Sequence, residues 1–223
     1  MNKVDVLSLK KVKLKVEIWS DVVCPWCYIG KRRFEESLAQ FEHSRNIDIE
    51  WKSFQLDPET KSEPGKSIHQ SLADKKGITV EQARQMNDQV TGLAKEAGLT
   101  YNLDQAVVAN TFDAHRLLQL AKKKGLGPLA EERLFKAYFT EGRNLADHPT
   151  LVQFGTEIGL SATEVSNMLS SDECAEEVSR DAYEAYQLEI HSVPFFLINN
   201  KYAVSGAQAP ETFLGALRKA WTE

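Results

Sequence analysis

Cysteine is scarce in this sequence. The 223 residues include three cysteines, and such a small odd number excludes the disulfide framework of a small secreted protein. Two of them form a single C-x-x-C, Cys24 and Cys27, and no second C-x-x-C or H-x-x-x-H follows. A structural zinc needs four ligands, usually from two such pairs. We therefore expect no metal site, and we expect a cytoplasmic location as the default for a chain with this cysteine usage.

Long hydrophobic runs and an excess of positive charge are also lacking. The net charge is −5, which argues against a nucleic-acid partner because phosphate backbones are bound by basic surfaces. The longest apolar runs fall far short of the roughly 20 residues that span a membrane. Lysines interrupt residues 1–15, so this stretch has no apolar core of a secretion signal. We expect neither nucleic acid nor membrane among the partners.

The C-x-x-C lies where a strand is followed by a helix. Strand-forming apolar residues predict a strand over 14–20, and the helical spacing of Phe34, Leu38 and Phe41 predicts a helix over 25–43. The cysteines therefore lie at the carboxyl end of a strand, where open α/β sheets tend to bind ligands.

Pro25 gives this position a chemical consequence. Proline is favoured in the first turn of a helix, which makes Cys24 the N-cap and lets its sulfur accept hydrogen bonds from the N–H groups of Trp26 and Cys27. A free cysteine is only ~3% thiolate at neutral pH. A helix dipole supplies roughly 0.3–1 kcal/mol toward ionisation, and charge-assisted hydrogen bonds add to it. We predict that Cys24 is the attacking thiol and that Cys27 resolves the mixed disulfide.

Two other interpretations of the pair stay open at this point. Cys24 and Cys27 could be half of a metal site, or two packed cysteines without chemistry. The redox interpretation is favoured because the sequence offers no second pair of ligands.

The order of predicted elements indicates an α/β domain with an insertion. A period-two pattern over 46–52 predicts a second strand, so strand, helix and strand form a βαβ unit. A polar stretch over 59–65 predicts a linker, and helical patterns then fill about a hundred residues, which is too long for a loop. We predict a thioredoxin-like domain formed by 1–60 and 172–223, with an inserted helical subdomain over 61–171.

Local signals place the remaining elements. Thr79 and Gln82 form a capping-box pattern for a helix over 80–97 that stops at Gly98. Asp172 is predicted to cap a helix over 173–189. The other predicted elements are helices over 107–124, from Pro128 to near Gly142, over 148–158 and over 163–169, strands over 195–198 and 202–205 joined by Asn199-Asn200, and a last helix from Pro210.

This order, with C-P-x-C opening the first helix, resembles the DsbA-like branch of the thioredoxin fold, and more closely its cytosolic FrnE-like members. The resemblance implies an α/β, thioredoxin-like fold with a large all-helical insertion. It runs in the right order from residue 14 to residue 221, and the stretches that carry it are SDVVCPWCYIGK at 20–31, FQLDP at 54–58, NT and AHRLL within 110–118, VPFF at 193–196 and VSGAQ at 204–208.

The resemblance also implies an active site around the cysteines. It makes Pro194 a cis proline facing the pair, with the backbone of Val193 free to pair with an extended substrate; a trans proline that starts a strand is the alternative. Pro25 and Trp26 support the cysteines. The candidate substrate groove consists of Phe54, Gln55 and His115.

Several of these side chains have competing interpretations. His115 either overhangs the cysteines and tunes their thiolate or is hydrogen-bonded within a helix interface. Asp21 either caps backbone groups or shifts the thiol pKa upward. Trp26 either stacks on a substrate or lies on the surface, and Cys174 is expected to be packed rather than catalytic.

The resemblance implies a protein-disulfide oxidoreductase of the DsbA family that acts on protein or small-molecule thiols. It would hold no bound cofactor besides the Cys24–Cys27 pair, and glutathione is a candidate co-substrate. One alternative is a glutathione-using transferase or isomerase, similar to the kappa-class and hydroxychromene carboxylate isomerase proteins; Cys27 is the feature against it. The other is a redox-silent binding adaptor. The sequence pattern leaves the oligomeric state open.

Overall fold

The computed structural model describes residues 14–63 and 65–223. Its sheet has the order β2-β1-β3-β4, with β1 and β2 parallel and the other pairs antiparallel. The predicted strands over 14–20, 195–198 and 202–205 are confirmed, and the one predicted over 46–52 begins one residue later. The strands are β1 Leu14–Ser20, β2 Ile47–Ser53, β3 Phe195–Ile198 and β4 Tyr202–Ser205.

The helices of the described part of the chain confirm a mixed α/β, DsbA-like thioredoxin fold. Those from α2 to α7 follow one another between β2 and α8, in the region predicted to be helical; the boundaries at 61 and 171 stay a prediction. The helices are α1 Pro25–Gln40, α2 Ile68–Lys76, α3 Val80–Glu96, α4 Phe112–Lys123, α5 Gly127–Phe139, α6 His148–Glu157, α7 Ala162–Leu169, α8 Ala175–Gln187 and α9 Pro210–Trp221.

The alternation of side chains along β1 gives the sheet two buried faces. Ile18 points to one face and packs with Phe34 of α1, Phe196 of β3 and Phe213 of α9. Trp19 points to the other face, where its indole Nε1–H donates to a backbone carbonyl of α8 at 3.1 Å. The sheet is therefore covered on both sides, and the residues that follow β1 enter the interior.

Three predicted helix boundaries are wrong for local reasons. The helix predicted over 107–124 begins at Phe112, because the N–H of Glu63 donates to the carbonyl of Val108 at 2.9 Å and holds that segment extended. Asp172 does not cap α8; its carbonyl accepts the Ala175 N–H in a turn, and Cys174 is the N-cap. The first helix ends at Gln40 rather than residue 43. The capping box of α3 is confirmed.

A helix that crosses a bilayer needs about 20 mostly apolar residues. None of those in 14–63 and 65–223 is both long enough and apolar enough to cross a membrane.

Candidate active site

The C-P-x-C motif forms the first turn of α1, as predicted. Cys24 is the N-cap residue and Pro25 the first helical residue. The Cys24 N–H donates to the carbonyl of Asp21 at 3.0 Å, and the Cys27 N–H donates to the Cys24 carbonyl at 3.0 Å. Both sulfurs are free thiols, and both residues are buried. The pair is therefore held by backbone hydrogen bonds at the junction of β1 and α1.

The predicted cap made by the Cys24 sulfur is not formed. The side chain caps no N–H of α1; instead, the Cys24 thiol donates to the backbone carbonyl of Val193 at 3.5 Å. The physical reason is that the Cys27 N–H is already satisfied by the Cys24 carbonyl, while the strand that begins after Pro194 brings an acceptor to the sulfur.

The segment facing Cys24 is the turn at Val193–Pro194, whose peptide bond is cis. The carbonyl of Pro194 accepts the N–H of Gly206 at 2.8 Å, which ties this turn to the end of β4. On the other side, Gly30 of α1 lies so close that a Cβ atom there would be 2.9 Å from Pro194 Cγ. Gly30 is therefore what allows α1 and the Val193–Pro194 turn to approach each other.

This close approach predicts a defect for Gly30→Ala. The added methyl group would overlap Pro194, and overpacking of this kind typically destabilises by about 1–3 kcal/mol. We expect a lower free energy of unfolding and slower thiol–disulfide exchange, measured by denaturant titration and by reaction with a small disulfide. The matched control is Gly92→Ala within α3, where a Cβ meets nothing within 4 Å. That variant should gain about 0.5–1 kcal/mol, and a loss in both variants would contradict the interpretation.

Side chains of the helical region contact the first turn of α1. The hydroxyl of Tyr101 donates to the carbonyl of Pro25 at 2.7 Å. The ring of Tyr28 stacks on Phe135 of α5 with centroids 4.7 Å apart, and its hydroxyl donates to Glu132 at 2.7 Å. These contacts fix the cysteine-bearing turn relative to α5.

A buried polar cluster lies behind the cysteines. His115 of α4 is fully buried, and its Nε2 lies 3.3 Å from an Asp21 carboxylate oxygen. The same carboxylate accepts the N–H of Leu56 at 2.8 Å. Nearby, the Ser20 hydroxyl donates to Glu131 of α5 at 3.0 Å. His115 is thus buried and paired with Asp21, and the Asp21 carboxylate caps the backbone N–H of Leu56. The roles of both residues toward the cysteines stay predictions.

Burial changes the proton affinity of two groups here. Desolvation, with a smaller contribution from the neighbouring Cys24, raises the pKa of the Cys27 thiol well above its ordinary value. Desolvation is also the main reason that the pKa of Glu131 rises from 4.5 to about 7, and the hydrogen bond from Ser20 and the charge of His115 oppose it. Cys27 therefore stays protonated at neutral pH.

Glu131 was not among the predicted site residues. It lies three, four and seven residues before Leu134, Phe135 and Tyr138, which are buried on the same side of α5. An acidic residue on the apolar stripe of a helix was the signal that could have identified it.

The remaining predicted residues differ in burial. Trp26 is 43% exposed beside Cys24. Phe54 is half-buried, and the amide of Gln55 faces Asn110 and Thr111 at 3.4 Å. Cys174 is buried at the start of α8 beside Lys123, distinct from the pair.

A thioredoxin-like sheet, a helical insertion and a C-P-x-C pair facing a proline turn define a class of thioredoxin-fold proteins. The DSBA-like thioredoxin domain model matches residues 15–218. The chain therefore belongs to the DSBA-like thioredoxin domain family.

Individual relatives agree with this assignment. The crystal structure of a probable DsbA oxidoreductase from Streptomyces coelicolor is similar at 39% identity and a TM-score of 0.89, over 94% of this chain and 91% of that one. The uncharacterized protein YwbO of Bacillus subtilis is 24% identical over 91% of this chain and 94% of its own. The cytosolic disulfide reductase DsbM from Pseudomonas aeruginosa with GSH shares the fold, at 16% identity and a TM-score of 0.66, over 94% of this chain and 100% of that one.

Proposed function

We propose that this protein is a thiol–disulfide oxidoreductase in which Cys24 attacks and Cys27 resolves a mixed disulfide with a protein or small-molecule thiol. The observation that carries the proposal is the unequal surroundings of the two sulfurs. Cys24 lies at the N-terminus of α1, where the dipole favours an anion, and beside the Val193 carbonyl. Burial raises the pKa of the Cys27 thiol.

These surroundings assign different tasks to the two cysteines. A thiolate is the nucleophile in disulfide exchange, so the sulfur at the helix N-terminus suits the first attack. Cys27, one helical turn further into the interior, keeps its proton until a mixed disulfide on Cys24 brings a sulfur within reach. Family membership supports the same reaction class.

The test compares the wild type with Cys24→Ser in insulin reduction and in the oxidation of a dithiol peptide. We expect the variant to lose essentially all activity, because the hydroxyl of serine cannot form a disulfide. A Cys174→Ser variant serves as the matched control, since Cys174 is buried at the start of α8 beside Lys123, and it should react at the wild-type rate. Equal activity of wild type and Cys24→Ser would remove the proposal.

Glutathione is the proposed small-molecule co-substrate. Its support is the likeness in fold to the DsbM structure with GSH. The remaining proposals concern setting: an FrnE-like branch, a cytoplasmic location, and thiols rather than nucleic acid or membranes as partners.

The two alternative functions predict different results. A glutathione-using transferase or isomerase needs no resolving thiol, so full activity of Cys27→Ser together with tight glutathione binding would favour it. A redox-silent adaptor would show an ordinary thiol titration for Cys24, followed by the ultraviolet absorbance of the thiolate.

A further inference from the structure

A buried tyrosine of the helical region is hydrogen-bonded to the backbone of the C-P-x-C motif. Tyr101 follows α3, is 6% exposed and donates its hydroxyl proton to the carbonyl of Pro25 at 2.7 Å. Within residues 14–63 and 65–223, no other side chain is hydrogen-bonded to the backbone of residues 24–27. Since Pro25 lies between the two cysteines, this bond joins the helical region to the motif itself.

The Tyr101 ring is fixed by its neighbours in the chain and by α5. It stacks on Phe139 with ring centroids 4.4 Å apart. The N–H of Asn102 donates to the Phe139 carbonyl at 2.6 Å, and the hydroxyl of Thr140 donates to the carbonyl of Thr100 at 2.7 Å. The hydroxyl therefore points to the motif from a rigid support, and little side-chain entropy is left to lose when it bonds.

The carbonyl that accepts this hydrogen bond belongs to the same peptide unit as the N–H of Trp26. The N–H groups in the first turn of a helix have no partner inside the helix. Pro25 has no N–H, and the N–H of Cys27 donates to the Cys24 carbonyl at 3.0 Å. Among the described residues, the Trp26 N–H makes no hydrogen bond. It is therefore the donor of the first turn that is left for the Cys24 sulfur.

Ionisation changes the partner that the Cys24 sulfur needs. The Cys24 thiol donates to the carbonyl of Val193 at 3.5 Å, whereas a thiolate has no proton to give to that carbonyl and requires donors. An N-cap side chain takes its hydrogen bonds from the N–H groups of the second and third helical residues. Because Cys24 is the N-cap of α1, the N–H that suits the ionised sulfur is that of Trp26.

We propose that Tyr101 is a positioning residue for the first attack, whose hydroxyl orients and polarises the Pro25–Trp26 peptide so that the Trp26 N–H stabilises the Cys24 thiolate. This inference rests on the proposed function and deepens it. A hydrogen bond to a peptide carbonyl strengthens the bond that the N–H of the same peptide donates, by about 10–30%. In the attack, the Cys24 thiolate supplies the electron pair of the new S–S bond, and the other substrate sulfur leaves as a thiolate.

The Tyr101 hydroxyl stays a donor while Cys24 ionises. Burial, with a smaller contribution from the nearby Cys24, raises the pKa of Tyr101 above its ordinary value. The other titratable groups around this turn are Cys27, Tyr28 and Arg32, together with Asp21 and its partner His115. The test variants leave these groups in place, so a changed titration of Cys24 reports the Tyr101 hydroxyl.

Tyr101→Phe tests the role, because it removes the hydroxyl and keeps the ring on Phe139. We expect the pKa of Cys24 to rise by about 0.5 unit, as for one charge-assisted hydrogen bond weakened by about 30%. The measurement is the ultraviolet absorbance of the thiolate against pH in a Cys174→Ser background. Alkylation of Cys24 below its pKa should slow about twofold, since the more basic thiolate is also more nucleophilic. At a pH above that pKa, the protein should become a weaker oxidant in equilibrium with glutathione, by about threefold.

A fluorinated tyrosine at position 101 should change the pKa of Cys24 in the opposite direction. Its phenol is a stronger donor, so the pKa should fall below the wild-type value, which a loss of packing could not produce. Tyr138→Phe is the matched control. Tyr138 is buried in α5 beside Phe139, and no hydrogen bond of the described part of the chain joins it to the motif. Its loss of a hydroxyl should leave the titration of Cys24 unchanged.

The outcomes separate the role of Tyr101 from the function itself. An unchanged pKa of Cys24 in folded Tyr101→Phe, or an equal shift in Tyr138→Phe, would overturn the role and leave the oxidoreductase intact. If Tyr101→Phe fails to fold by circular dichroism, the fluorinated protein decides, and a pKa that does not fall would overturn the role. Absence of disulfide exchange in the wild type would overturn the proposed function instead.

Discussion

Replacing Cys27 with serine is expected to convert this protein into a trap for its substrates. Cys24 would still attack, since its position at the N-terminus of α1 does not depend on the Cys27 sulfur. The mixed disulfide could not be resolved from within, because the serine hydroxyl does not attack a disulfide. Complexes should accumulate in cells that express the variant, visible as slow-migrating bands on non-reducing gels and abolished by a dithiol reductant.

The same gels contain the controls. Cys24→Ser should form no such bands, and Cys24→Ser combined with Cys27→Ser should look the same. Mass spectrometry of the trapped species would then identify the partner thiols, whether protein or glutathione. Equal trapping by Cys24→Ser and Cys27→Ser would contradict the assigned order of attack.

The second large effect concerns stability against pH. The pKa of Glu131 rises from 4.5 to about 7 on folding because the carboxyl group is buried. Because the pKa of Glu131 is higher in the folded state, its contribution to the free energy of unfolding is fully present below pH 4.5. This contribution is lost as the pH rises through about 7. At 1.36 kcal/mol per unit, the loss is on the order of 3 kcal/mol.

Glu131→Gln removes this loss, because glutamine has no proton to release. The quantity to compare is the free energy of unfolding of the variant minus that of the wild type. We expect this difference to be larger at about pH 9 than at about pH 5, by on the order of 3 kcal/mol. Denaturant titrations at the two pH values measure this. A pH-independent difference between the two proteins would contradict the pKa shift.

Glu132 provides a matched control of opposite sign. Hydrogen bonds from Arg32, Lys31 and Tyr28 outweigh its partial burial and lower the pKa of Glu132 to about 2. Its contribution to stability is therefore present above pH 4.5 and lost as the pH falls toward 2. Glu132→Gln should destabilise the protein at neutral pH, the reverse of its neighbour.

The local sequence does not indicate which of the adjacent residues Glu131 and Glu132 is buried. Both lie on α5, one turn after Pro128, and both are equally compatible with a helix. Which of them is buried depends on how α5 packs against α1 and on which side faces Ser20. Periodicity with Phe135 and Tyr138 indicates a buried position, but Ser20, whose hydroxyl donates to Glu131, lies 111 positions away in the chain.

The sequence by itself determined the elements and the reactive pair. Its strands, most of its helices and the placement of Cys24 at the first turn of α1 follow from short-range signals, namely alternation, helical spacing, caps and the restricted backbone of Pro25. Tertiary structure alone decided that the Cys24 thiol donates to the Val193 carbonyl, that His115 pairs with Asp21 and that Glu131 accepts the Ser20 hydroxyl. The physical reason is that hydrogen bonding and desolvation of a buried polar group depend on residues brought together from distant parts of the chain, and no periodicity within one segment specifies those partners.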